Sequence, residues 1–454
     1  MRNSREAALH IIYRVLEEGA YTNLAANEVL RESGLKSRDR ALAREIAYTA
    51  IKAWNTIDWA LNLYLKKRKL EDLPPWIRCI LRVGASQILF LSRIPPWAAV
   101  FETVALAKKY GHQGTAGLVN AVLRRLLLHK EQLPYPDVKE DPVGHISLRY
   151  YHPAWMVSYW LSRWGLDETI ALCKANNIPP PLTVRVNTLK ATVSRVQEIL
   201  DKEGAKARPC RFAPEGLIVE GFDTLEDAPA FQEGLFYVQD EASMLVSHAV
   251  NPHPLSTVVD ATAAPGGKTT HLAQLMNNEG RILAFDTHRK RLRLIADNCR
   301  RLGVTCVELN LGDARLLGAL YPGVADYLLV DAPCSGLGVL RRRPDARWRK
   351  DTGNVQELAE IQLTILKGAF GVLKPGGVLV YSTCTLTWEE NEGVIKRFLE
   401  ENPEVTLEDL SAYLPNLPQD LVHKARGGQV QFLPHLHGTD GFFIARLRKR
   451  SRSY

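Results

Sequence analysis

The strongest constraint on this chain is a change of hydrophobic period along it. From Val258 onward, short apolar runs alternate with helical stretches: STVVD then HLAQLM, RILAFD then KRLRLIADNCRRLG, TCVELN, VADYLLVD, and GGVLVYSTC after a helix that ends near Leu373. Strands joined by helical crossovers predict a mostly parallel sheet covered on both faces. Residues 4–130 differ, with apolar residues recurring at a period near 3.6, as in ALHIIYRVLEEG, which predicts an all-helical unit. A chain of 454 residues is long enough for more than one such unit.

Between these regions the composition marks boundaries. Pro134, Pro136, Pro142, Gly144 and Pro153 fall among alternating charges, which disfavours a continuous helix and predicts a linker over 133–153. A helix over Trp155 to Asn176 follows, stopped by Pro179-Pro180-Pro181, and TVRVNTL opens a small accessory domain that runs to 235. The expected architecture is an all-α domain at 1–132, a small α+β domain at 154–235 and a Rossmann-like α/β domain at 236–454.

Charge is distributed unevenly. Residues 1–150 hold 23 basic and 15 acidic side chains of the 58 and 50 in the chain, so 35 of each remain in 151–454 and the whole +8 excess lies in the first third. Such a face favours a polyanion, although solvated helices often carry a similar excess. The basic interruptions there are Lys66-Lys67-Arg68-Lys69 and Arg124-Arg125. Seven cysteines without a C-x-x-C pair suggest neither a disulfide framework nor a zinc finger, and the start shows no long apolar leader. A soluble cytoplasmic protein with free thiols, no metal and no membrane segment is expected.

The strand ending at Asp260 runs into Thr262, Ala263, Ala264, Pro265, Gly266, Gly267 and Lys268, and then a helix. Paired glycines at such a turn let backbone amides approach a ligand, and the helix N-terminus favours electron-rich groups. The run lacks P-loop and dinucleotide spacing, and alone it equally suits a tight turn. Asp286, Asp313 and Asp331 follow at or just beyond later strand ends. Ligands of open sheets collect beyond the carboxyl ends of the strands, so these acids should converge on one crevice. Cys334 and Cys384 end neighbouring predicted strands, where two sulfurs could meet, although each taken singly also suits core filler.

The motifs AAPGGKTT, AFD, GDAR, DAPCSGLGVLRRRPDARW, YSTCTLTWEENE and DGFFIARL together resemble the S-adenosylmethionine-dependent RNA cytosine-5 methyltransferases, especially the bacterial group acting on 16S rRNA. The first third resembles the helical RNA-binding domain of a transcription antitermination factor. The resemblance implies that Thr262 to Lys268 surround the methionine part of S-adenosyl-L-methionine, that Asp286 receives the ribose, that Asp313 receives the adenine edge or sits beside it, and that Asp331 lies near the methyl. The family more often has Cys where this chain has Thr262.

Cytosine C5 is a poor nucleophile until a thiolate adds to C6, and after methyl transfer the C5 proton must leave before the sulfur can depart. Spacing does not say which thiol attacks. The resemblance assigns attack to Cys384 and resolution to Cys334, with Asp331 and Lys268 as electrostatic support.

Arg341, Arg342, Arg343, Arg347, Trp348, Arg349 and Lys350 follow the Cys334 loop and suit phosphate contact and base stacking, with Trp348 equally suited to packing the loop. Arg185 and Asn187 match a family segment beside the RNA cleft. The basic tail holds Arg446, Arg448, Lys449, Arg450 and Arg452, which a solubilising terminus also explains. The resemblance implies methylation of 16S rRNA at cytosine 967, in free or early assembling rRNA, by a monomer. A tRNA methyltransferase and a non-catalytic assembly factor are the alternatives.

Overall fold

A computed structural model describes residues 3–66, 68–221 and 228–451. The chain forms two compact units, Met1–Ile178 with Leu340–Asp351, and Pro179–Val339 with Thr352–Tyr454. Among the described residues no helix is long and apolar enough to cross a membrane.

The first unit is helical: α1 (Ser4–Leu16), α2 (Thr22–Glu32), α3 (Ser37–Lys52), α4 (Trp54–Asn62), α5 (Pro75–Phe90), α6 (Pro96–Tyr110), α7 (Gln113–His129), α8 (Pro142–Tyr150) and α9 (Ala154–Ala175). Asn3 caps α1 by accepting from the Glu6 amide, which satisfies one of the free donors of the first turn. Leu9, Ile12, Ile46, Ile80 and Val119 are among the side chains of the apolar core that α1 to α7 enclose.

The segment expected as a linker carries α8. Pro142 occupies the first turn, where a missing amide costs nothing, and the Asp141 carboxylate accepts from Gly144 N. The proline therefore starts a helix there instead of preventing one.

In the second unit β1 (Leu182–Val186), α10 (Val193–Lys202), β2 (Lys206–Pro209), β3 (Gly216–Glu220), α11 (Pro229–Gln232) and β4 (Phe236–Val238) build a four-stranded antiparallel sheet in the order β2-β3-β1-β4. Its last strand lies beyond the boundary expected at 235. Then come α12 (Glu241–Val250), β5 (Thr257–Asp260), α13 (Gly267–Leu275), β6 (Arg281–Asp286), α14 (Arg289–Leu302), β7 (Val307–Leu311), α15 (Leu317–Leu320), β8 (Ala325–Asp331), α16 (Thr352–Phe370), β9 (Leu373–Thr383), α17 (Glu392–Glu401), β10 (Val405–Leu407), α18 (Gln419–Arg426), β11 (Gln429–Phe432), α19 (Pro434–His437) and β12 (Phe442–Lys449).

The large sheet has the order β10-β12-β9-β8-β5-β6-β7, with β11 on β12. Strands β5 to β9 are parallel and β10, β11 and β12 antiparallel, so the sheet is mixed but parallel at its centre. The order reverses at β5, flanked by β6 and β8, which places a ligand crevice beyond its carboxyl end. Apolar clusters cover both faces, one including Val258, Leu272 and Ile444, the other Val259, Leu366 and Phe443.

Candidate active site

Because β5, β6, β7, β8 and β9 run in parallel, their carboxyl ends share one edge. Asp260, Asp286, Asp313, Asp331 and Cys384 are delivered to that edge by the ends of these five strands or the residues just after them. Asp260 is buried and accepts from the Thr269 hydroxyl at 2.7 Å. Burial pushes its carboxyl up to about 6, with the Thr269 bond opposing and the Asp331 charge adding.

Asp286 is also nearly buried, with one oxygen accepting from His288 N at 2.8 Å. Asp313 caps a short turn and accepts from the Arg315 amide at 2.9 Å and from its guanidinium. The Arg315 bond holds Asp313 below its ordinary range.

The turn between β5 and α13 is held by its own backbone: Ala263 N donates to Phe285 O and Gly266 N to Ala263 O. Gly266 has φ +100°, a conformation that favours glycine, and a Cβ there would also meet Ile295 at 3.1 Å. Ala263 and Gly266 are buried, Thr262, Ala264, Gly267 and Lys268 half-buried, and Pro265 exposed. The Thr262 hydroxyl donates to Asp331 O at 2.9 Å, tying the turn to the end of β8.

Lys268 Nζ donates to Asp331 Oδ2 at 2.7 Å, and Ser382 Oγ donates to Asp331 Oδ1 at 2.8 Å. The Asp331 carboxylate is thereby fixed from one strand, β9, and one helix, α13. It still has spare lone pairs for a ligand, since each oxygen accepts more than one donor.

Beyond β8 and β9 the sulfurs of Cys334 and Cys384 lie 3.3 Å apart. Both residues are half-buried and neither is in a disulfide. The contact with Cys384 is the first cause that holds the Cys334 thiol well above its ordinary value. Burial and the charges of Cys384 and Glu390 add to it.

Several residues expected on RNA are placed elsewhere. Arg185 is fully buried and donates to Gln274 Oε1 at 2.7 Å, to Thr270 Oγ1 at 2.9 Å, and to Gly267 O and Gln239. Asn187, also buried, donates to Gly234 O and Leu302 O, both at 2.8 Å. These side chains join the small sheet to α13 and its neighbours, so neither presents a group to a phosphate. Burial brings Arg185 down to about 9 without neutralising it near pH 7.

Arg347 is fully buried in the first unit, donating to Tyr151 O at 2.7 Å and to Asn177 Oδ1 at 3.1 Å. Trp348 Nε1 donates to Ile51 O at 2.7 Å, which makes it a loop-packing residue. Arg341 and Arg342 are half-buried and Arg343 exposed. Lys66, Arg68, Lys69, Arg124 and Arg125 are exposed, and Lys67 lies outside the described residues. In the tail, Arg446 is buried inside β12 and paired with Glu408 at 2.8 Å, whereas Arg450 is exposed and Arg452 lies outside the described residues.

Two groupings were not read from the sequence. Glu390 is fully buried beside the sulfurs and accepts from Ser335 N at 2.8 Å, Ser335 Oγ at 2.5 Å, Thr387 Oγ1 at 2.7 Å and Gln362 Nε2 at 3.0 Å. Glu215, His248 and His271 place three possible ligand atoms within 4.8 Å of one another, a grouping that the expectation of no metal did not anticipate. Both imidazole Nε2 atoms lie 3.0 Å from Glu215 Oε1. Burial pushes Glu215 up, but His271 and His248 more than reverse this, so its carboxyl sits below the usual range. Burial and then Arg185 bring His271 down to about 4, which leaves it neutral near pH 7.

Residues 247–448 match the family described as 16S rRNA methyltransferase RsmB/F, residues 152–224 its ferredoxin-like domain and residues 2–127 the NusB family. The chain is 38% identical to the "Probable ribosomal RNA small subunit methyltransferase B" of Bacillus subtilis, over 98% of each sequence. It is 31% identical to the "Ribosomal RNA small subunit methyltransferase B" of Escherichia coli, over 99% of each. Among solved structures, PH0851 superimposes with a TM-score of 0.82 at 30% identity over 98% of each chain. NSun6 from Pyrococcus horikoshii gives 0.58 at 29% identity, over 65% of this chain and 98% of that one.

Proposed function

The chain belongs to the 16S rRNA methyltransferase RsmB/F family, and on that premise we propose that it methylates C5 of a cytosine in 16S rRNA through a covalent bond from Cys384 to C6. The methyl donor is S-adenosyl-L-methionine. The target cytosine is 967, reached in free or early assembling rRNA by a cytoplasmic monomer.

The donor set at the strand ends suits the cofactor. Carboxylates at Asp286 and Asp313 can accept from ribose hydroxyls and an adenine amine, while the turn from Thr262 to Lys268 offers small side chains and the N-terminus of α13. When bound, S-adenosyl-L-methionine supplies a methyl group on an electrophilic sulfonium.

The observation that carries the reading is the 3.3 Å contact between Cys334 and Cys384 beside the Asp331–Lys268 pair. Cys384 adds as thiolate to C6 of an extruded cytosine, and the electron pair displaced to C5 makes that carbon nucleophilic toward the methyl. Asp331, held by Lys268 and Ser382, accepts from the N4 amine of the base and orients the ring beside the Lys268 ammonium, which stabilises negative charge as it develops.

After transfer the C5 proton leaves, the C5–C6 double bond re-forms and the C6–S bond breaks, which returns Cys384 as thiolate. Cys334, once it has given its own proton to solvent, is suited to take that proton as thiolate. The first cause that keeps it protonated is its contact with Cys384, and that contact weakens once the Cys384 sulfur is bonded to carbon. Attack by one sulfur thus frees the other to act as base.

Exposed Arg68, Arg124, Arg125 and Arg343 supply positive charge for the rRNA backbone. The test is incubation of the protein with unmodified rRNA, tRNA and labelled S-adenosyl-L-methionine, followed by nuclease mapping. We expect label as 5-methylcytosine at position 967 of 16S rRNA. Label confined to tRNA, or no transfer to any RNA, overturns the reading.

A further inference from the structure

We propose that Glu390 is a positioning residue that clamps the turn after Cys334 to the turn after Cys384 and so sets the sulfur contact on which release of methylated RNA depends. The inference rests on the roles given above to Cys384 and Cys334.

Its carboxylate stands between the two turns. On one side it accepts from the amide and hydroxyl of Ser335, the residue after Cys334. On the other it accepts from Thr387 Oγ1 at 2.7 Å, while Thr385 Oγ1, on the residue after Cys384, lies 3.3 Å away and donates to Ser335 Oγ at 2.6 Å. Gln362 on α16 completes the clamp, donating both to Glu390 at 3.0 Å and to Pro333 O at 2.9 Å. The residues on each side of Cys334 are therefore tied to one buried acceptor system.

Tyr381 fixes the clamp from below by donating to Glu390 O at 2.7 Å. Among the described residues every donor to the carboxylate is neutral, so its charge stays uncompensated beside the sulfurs and favours the thiol form of Cys334. A buried carboxylate with four donors and, among the described residues, no cation is a costly arrangement unless its geometry or its charge is used.

The test compares Glu390→Gln and Ser335→Ala with the parent enzyme on cytosine RNA, separating first-turnover methyl transfer from release. In E390Q the amide meets donors that a carboxylate accepted, and the negative charge is gone. We expect first-turnover transfer to persist, release to slow by about 10- to 100-fold, and methylated covalent adduct to accumulate on denaturing gels.

The pH limb governing release should move to lower pH in E390Q, because one cause holding Cys334 up is removed. Cys384 and Tyr381 are the other titratable groups that face the Cys334 thiol, and both remain. S335A keeps the charge but loses one donor, so it should slow release less and leave the limb in place. Parent-like release and limb in E390Q overturn the proposal. An equal fall in first-turnover transfer and release also overturns it, as this marks general loosening. Should E390Q fail to fold, unchanged release in S335A is the overturning result. Cys384→Ala separates the two levels: persistence of the adduct there sinks the underlying mechanism, whereas its loss alongside a parent-like E390Q sinks only the role of Glu390.

Discussion

Two buried carboxylates of the second unit, Glu390 and Glu215, are held in opposite ways. Glu390 is surrounded by hydroxyls, an amide N–H and a side-chain amide, all neutral. Glu215 faces two imidazoles and shares the field of the buried Arg185 guanidinium. Neutral donors fix a carboxylate in place yet leave its charge to act on neighbours, whereas a nearby guanidinium such as Arg185 offsets it. The first arrangement suits a pair of reactive sulfurs, and the second suits the seam between the small sheet and helices α12 and α13.

The sharpest break in this comparison comes at the sulfurs. Cys384→Ala should lower methyl transfer by about 1000-fold or more and abolish the adduct trapped on 5-fluorocytosine RNA, while Cys334→Ala should let adduct accumulate. Peptide mapping of the adduct to Cys334 alone would reverse the assignment.

Asp331→Asn should cost about 100- to 1000-fold in turnover with little change in unfolding temperature. If the carboxylate only capped a turn, stability would fall and turnover per folded molecule would hold. At the other carboxylate the pattern should invert. Glu215→Ala removes the carboxylate that faces His248 and His271 and should cost about 2 kcal/mol in urea unfolding, with turnover per folded molecule unchanged.

The smallest effect is on the acid limb of stability. In the unfolded chain His271 takes up its proton near 6.5, but in the folded chain only near 4. The unfolded state binds more protons across that window, so stability falls as pH descends through it. Asp260, pushed up to about 6 from 3.8, works in the opposite direction over an overlapping range. Replacing His271 with Gln should remove about 2 kcal/mol of the acid loss, read as urea midpoints from pH 7 to 4. An unaltered acid limb would show that His271 titrates as an exposed histidine does.

The site was legible in the sequence where chemistry and element boundaries coincide. Asp286, Asp331 and the turn from Thr262 to Lys268 sit where an apolar run stops, and that position alone aims them at the open edge of a parallel sheet. The cysteines were legible as a pair for the same reason. Glu390 was not, because WEENE offers three similar acids and nothing in that run says which one meets Ser335 and Gln362. Arginines were the least legible. Arg185, Arg347 and Arg446 read like Arg124 and Arg125, yet the first three are buried and the last two exposed. A guanidinium has five donors and can be buried wherever carbonyls and side-chain acceptors converge, and those acceptors come from distant segments.

What the sequence determined by itself is periodic or local: helices in the first third, parallel strands later, a glycine turn after Asp260, and reactive groups at strand ends. These follow from backbone geometry and the alternation of apolar and polar residues, which neighbouring residues define. Tertiary structure alone decided which charges are cancelled. Coulombic and hydrogen-bond energies depend on distances between side chains remote in the chain, and only the packed sheet brought Glu390 to the sulfurs and Glu215 to the histidines.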